Sequence, residues 1–112
     1  MTEIKPSAHV ERILTLHPEE GKQGVNIERA KYDAVRAAIL ADIDAAEERE
    51  RGVLLQGMGG RIEPGLPAGL FPDDGKGITW YVMAVKQDLE ARGDIEQVPG
   101  ARPQRLRVAG SG

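Results

Sequence analysis

Residues 77–107 read GITWYVMAVKQDLEARGDIEQVPGARPQRLR, and this stretch decides the fold. The run ITWYVMAVKQDLEAR has the length and residue types of a helix. Gly93 then supplies the left-handed C′ position at which helices stop, and Ile95 can close the cap with a hydrophobic contact. DIEQV suits a short strand, PGARPQ a Pro/Gly turn, and RLRV a returning strand. A helix that feeds straight into a basic β-hairpin at the end of a small domain is the back half of a winged helix-turn-helix. The expected fold is therefore α+β and winged helix-turn-helix-like. It has three helices, a C-terminal two-stranded β-wing and an N-terminal strand or arm. Architecture alone does not decide function, because this scaffold carries DNA readers and protein-binding modules alike.

Upstream of that unit, Asn26 is a good N-cap for a first helix running to about Arg49. Tyr32, Val35, Ile39, Ile43 and Ala46 recur at spacings of three and four and stripe one face of it for burial. Leu55, Met58 and Ile62 also have helical spacing, and Pro64 stops the segment. Gly57, Gly59 and Gly60 each weaken a helix interior by roughly 1 kcal/mol relative to alanine. The second helix is thus expected to be short and held by docking on the first. The loop LPAGLFPDDGKG offers Leu70 and Phe71 as plugs for the core, and VERILTL (residues 10–16) has strand-like content. The domain plan is a flexible arm over residues 1–9, one winged-helix-like domain over 10–109 and a tail over 110–112.

At 112 residues the chain suits one domain with a modest core, and its four aromatics leave that core mostly to Val, Ile, Leu and Met. With no cysteine there is neither a disulfide framework nor a thiolate zinc site. No apolar run approaches the ~20 residues that span a bilayer, so no membrane role is expected. MTEIKPSAHV lacks the basic and apolar regions of a signal peptide, so a cytoplasmic protein is expected. The net charge of −3 is uneven: residues 1–50 hold seven Lys/Arg against eleven Asp/Glu, whereas residues 76–112 hold six against four. Dedicated DNA-binding domains are usually far more basic, since phosphate neutralisation supplies most of their affinity.

Residues 64–92, PGLPAGLFPDDGKGITWYVMAVKQDLEAR, resemble a family of small bacterial proteins whose domain has no known function. The resemblance rests on Leu66, Pro67, Leu70, Phe71, Pro72, Trp80, Val85, Asp88, Leu89, Glu90, Ala91 and Gly93, with Lys31-Tyr32 and Arg105 to Arg107 as outlying matches. It runs from about Gly21 to Val108. It implies the winged-helix-like architecture and no particular activity. The chain departs from the pattern at Leu54, where a Thr-like cap is usual, in its glycines at 57–60, and mildly at Tyr81.

No catalytic constellation is legible, and neither a cofactor nor a metal site is expected. GKQG (residues 21–24) lacks the spacing of a phosphate loop and suits a turn, and GMGG (57–60) suits a distorted helix. His9 and His17, the two imidazoles, are expected to be exposed and unliganded. Asp73-Asp74 precede a helix, where acids are favoured, and Asp88 can reach Arg92 at i+4. The residues that remain are those of binding. At about 100° per residue, Ile78, Tyr81, Val82, Val85 and Leu89 form the core stripe of the third helix. Trp80, Met83, Ala84, Gln87 and Ala91 lie opposite, so that the helix is apolar nearly all round. Two uses follow. In a DNA reader, Thr79, Lys86 and Gln87 would face the groove of double-stranded DNA while Arg102, Arg105 and Arg107 grip phosphates. In an interaction module, Trp80, Met83, Ala84 and Ala91 would be covered by residues 10–16 of the same chain, by that segment of a second chain in a homodimer, or by a protein partner. A dimer that buries Trp80 would exclude groove reading through this helix.

Overall fold

Tyr32, Val35, Ile39 and Ile43 line the buried face of α1 (Arg29–Asp44), as their spacing predicts. They meet Tyr81, Val82, Val85 and Leu89 of α3 (Ile78–Arg92), and this helix pair is the centre of the core. The computed structural model describes residues 11–71 and 77–110; the arm expected over residues 1–9, His9 and the Asp73-Asp74 pair lie outside the described residues. Around the helix pair run β1 (Arg12–Leu14), β2 (Asn26–Glu28), β3 (Val53–Leu54), α2 (Met58–Ile62), β4 (Ile95–Gln97) and β5 (Arg105–Val108). A 3-10 turn at Glu63–Gly65 follows α2. β1 and β2 form an antiparallel ribbon, and a second antiparallel sheet has the order β3-β5-β4. The described residues thus form an α+β fold of three helices and two small sheets.

Several boundaries differ from the sequence reading, each for a physical reason. Asn26 does not cap α1. It sits in β2 opposite Leu14, where its Oδ1 accepts a hydrogen bond from Arg12 Nε at 2.6 Å, while the neighbouring Ile27 is buried in the core. Alternation of exposed Asn26, buried Ile27 and half-buried Glu28 is the two-residue period of a strand, too short to stand out before a strongly periodic helix. α1 ends at Asp44 rather than near Arg49. Beyond Ile43 the sequence AAEERE has no large apolar side chain to bury, and the chain turns instead to place Val53 against Leu106 and Leu54 against Arg105. That pairing makes the C-terminal sheet three-stranded, where a two-stranded wing was expected.

Gly52 makes this turn: it is buried at φ +67°, and a Cβ there would lie 2.0 Å from the Leu106 carbonyl oxygen. α2 is a single short turn of helix, as its glycines require, held by the buried side chains of Met58 and Ile62. Phe71 packs at the core margin, its ring edge-on to Tyr81 at 5.0 Å. At the end of α3, Gly93 adopts φ +82°. Its N–H reaches Glu90 C=O at 3.1 Å and the Asp94 N–H reaches Leu89 C=O at 2.9 Å. This is a Schellman stop, with Ile95 buried behind it.

Candidate functional site

Arg102, Arg105 and Arg107, the arginines expected on a wing, are the first group to place. Arg105 donates from Nε to the Arg51 carbonyl at 3.0 Å and from Nη2 to the Gly52 carbonyl at 3.2 Å. Arg107 donates to Glu96 Oε2 at 2.6 Å and to the Glu50 carbonyl at 2.9 Å. Glu96 stands opposite Arg107 across the β4–β5 pair, and that hydrogen bond holds its carboxyl below the usual carboxylate range. Both arginines therefore stitch the α1–β3 connection to β5. Arg102 differs, lying exposed in the turn between β4 and β5.

On α3, Thr79 is exposed, and Trp80, Met83, Ala84, Gln87 and Ala91 are half-buried. Trp80 stands edge-on to Tyr81 at 5.0 Å and, with Ala84, packs against the core. Of the apolar face expected on α3, Trp80 and Ala84 thus pack inside the chain, while Met83 and Ala91 are half-buried. The large exposed hydrophobics among the described residues are instead Leu14 and Leu16, at 60% and 44% exposure. Lys86 is not at the margin of a groove-facing surface. It is 4% exposed, and its Nζ lies 3.0 Å from Glu90 Oε1 as an ion pair rather than an aligned hydrogen bond. β4 packs back on that side of α3 and brings Gln97 Nε2 to Glu90 Oε2 at 2.9 Å.

Two side-chain clusters escaped the sequence reading in part. Asp88 is fully buried. Its Oδ1 accepts the Leu16 N–H at 2.7 Å, and its Oδ2 accepts the Tyr32 hydroxyl and Arg92 Nε, the latter at 2.8 Å. The i+4 pair with Arg92 was legible, but the partners from α1 and the N-terminal segment were not. Burial, and then the hydrogen bond to Asp88, push the Tyr32 phenol up to about 12. The second cluster centres on Lys31, 7% exposed, with Nζ 5.9 Å from the Phe71 ring centroid and 5.6 Å from that of Tyr81. Its Nζ also lies 3.6 Å from Glu28 and 3.5 Å from the Tyr81 hydroxyl. Arg12, Asn26, Glu28, Lys31, Trp80 and Tyr81 line a polar cleft of about 130 Å³ beside it. Ligand pockets are typically several times larger and mostly apolar.

The described residues hold no group of three or more His, Cys, Asp or Glu side chains placed to share a metal ion. GKQG begins in a turn over residues 19–22, closed by the Lys22 N–H to Glu19 C=O and by a 2.9 Å ion pair between the same two residues. His17 Nδ1 accepts the Glu19 N–H at 3.0 Å. None of the described helices is long and apolar enough to cross a membrane. Most of the described cations are paired inside the chain. Besides those above, Arg29, Arg36, Arg51 and Arg61 pair with Asp33, Asp94, Glu48 and Asp42. Arg49 and Arg102 stand outside this pattern among the described residues.

The chain belongs to the family of unknown function DUF6958, whose model matches residues 12–106. That match begins at β1 and ends inside β5, so it takes in all three helices and both sheets. No curated protein and no solved structure matches the chain.

Proposed function

We propose that this member of the family is a winged-helix-like, non-catalytic interaction module whose surface takes protein rather than nucleic acid. The order α1-β3-α2-α3-β4-β5, with the strand after α1 joined to the last strand of the wing, supports the winged-helix reading. One observation carries the choice of ligand: Lys86, Arg105 and Arg107 are committed to Glu90, Glu96 and the carbonyls of residues 50–52. Of the groove-and-wing set, Thr79, Gln87 and Arg102 remain. A single guanidinium neutralises about one phosphate, whereas proteins that hold duplex DNA usually neutralise ~6–10. A net charge of −3 adds repulsion.

Fluorescence anisotropy with a labelled random-sequence duplex tests this. The expected result is no binding at low salt, around 50 mM, with protein at tens of micromolar. Binding whose log K falls linearly with log salt, at a slope of several units, would overturn the reading in favour of a nucleic-acid protein.

A further inference from the structure

We propose that β1 is the seam of a two-fold homodimer, in which the β1 strands of two copies pair antiparallel to make a four-stranded β2-β1-β1-β2 sheet. This deepens the interaction reading above and rests on it, by naming a second copy of this chain as the partner. The hydrogen-bond inventory of β1 carries the inference. In the β1–β2 ribbon the bonded positions are the odd ones: Arg29 N–H donates to Glu11 C=O at 2.8 Å and Thr15 N–H to Val25 C=O at 2.9 Å. Antiparallel ladders alternate, so Arg12 and Leu14, opposite Glu28 and Asn26, turn their N–H and C=O groups away from β2. No backbone partner meets those four groups among the described residues. The next outward group, the Leu16 N–H, is already held by Asp88 at 2.7 Å. The open edge is therefore bounded on its C-terminal side.

A row of outward N–H and C=O groups is met by another extended backbone. This edge is self-complementary. With the two-fold axis at Ile13, Arg12 of each copy exchanges both backbone bonds with Leu14 of the other, and all four outward groups on each chain are satisfied. Centring the axis on Leu14 would instead pair Arg12 with Leu16, whose N–H is unavailable. In the Ile13 register no like charges stand opposite one another: across the sheet run Glu28, Arg12, Leu14 and Asn26. Leu14, 60% exposed in the single chain, is covered by the stem of the opposing Arg12. Closing the edge on its own copy consumes it and leaves no strand open to growth there.

Sedimentation velocity across a range of protein concentrations tests the seam with the intact chain, Leu14→Pro and Leu14→Lys. Proline at 14 removes an N–H that points away from β2 and leaves the ribbon's own bonds in place. The unsubstituted chain should show a concentration-dependent dimer. Leu14→Pro should weaken association by about 30-fold or more, since two of the four cross-seam bonds are lost. Leu14→Lys should also weaken it, through a change of side chain alone. Circular dichroism reports whether each variant is folded; if Leu14→Pro is not, Leu14→Lys decides. A chain that stays monomeric up to about 0.5 mM, or a dimer that neither folded variant weakens, would overturn the inference. The same samples go into the DNA titration. A monomer that ignores DNA removes the seam and leaves the interaction reading standing, whereas salt-dependent DNA binding removes that reading.

Discussion

Asp88 brings three parts of the chain to one atom pair: Leu16 from the N-terminal segment, Tyr32 from α1 and Arg92 from its own helix. A buried carboxylate left without partners would be strongly destabilising, so these donors are what allow it to be there. Their order also shows why the site was only half legible. Arg92 is four residues away on the same helix, a spacing any sequence displays, whereas Leu16 is 72 residues away, and only the folded chain brings it near. Tyr32 reports on this cluster. Its phenol is pushed up to about 12 in the fold, while an unfolded tyrosine ionises near 10. Folding therefore favours the protonated phenol, and the contribution to stability is fully present below about pH 10 and lost as pH rises from there toward 12. The ultraviolet absorbance of phenolate checks this. The chain should show a late-titrating tyrosine that is missing in Tyr32→Phe and shifted back toward 10 in Asp88→Asn. Titration of both tyrosines near 10 would contradict the assignment.

At the scale of elements, periodic faces and local turn signals are legible in the sequence, whereas the two short strands β2 and β3 are not. The stripes of α1 and α3, the glycine stop of α3 and the β4–β5 hairpin all follow from local sequence, because each is stabilised by contacts within a few residues or by a dense apolar face. β2 and β3 are two or three residues long and exist only through partners: β2 through β1, and β3 through β5, which lies about half the chain away. Gly52 marks the second of these joints. Gly93 and Gly52 both have positive φ, but a Cβ at Gly93 meets nothing within 4 Å, whereas at Gly52 it would lie 2.0 Å from a backbone oxygen of β5. Gly93→Ala should therefore cost about 1 kcal/mol, the ordinary penalty for a left-handed residue. Gly52→Ala should cost several times more, or prevent folding, because β3 and β5 must separate. Chemical denaturation of both variants measures this, and equal small losses would mean that the β3–β5 joint is unimportant.

For the molecule as a whole, the distribution of charge matters more than its net value. The sequence places Arg102, Arg105 and Arg107 together, and from spacing alone they form one basic wing. In three dimensions they divide: Arg105 and Arg107 turn inward to the carbonyls of residues 50–52, and Arg102 stays exposed at the turn. Nothing in the local sequence distinguishes the three, because the carbonyls come from the end of the α1–β3 connection. We propose that Arg105 and Arg107 hold the β4–β5 hairpin to the α1–β3 connection instead of serving a polyanion. Thermal and urea denaturation of Arg102→Ala, Arg105→Ala and Arg107→Ala tests it most directly. Arg105→Ala and Arg107→Ala should each lose about 1–3 kcal/mol of stability, as befits charged hydrogen bonds to backbone and carboxylate. Arg102→Ala should stay within about 0.5 kcal/mol of the parent chain. If all three variants proved as stable as the parent, the hairpin arginines would be free for a polyanion, which would contradict this role.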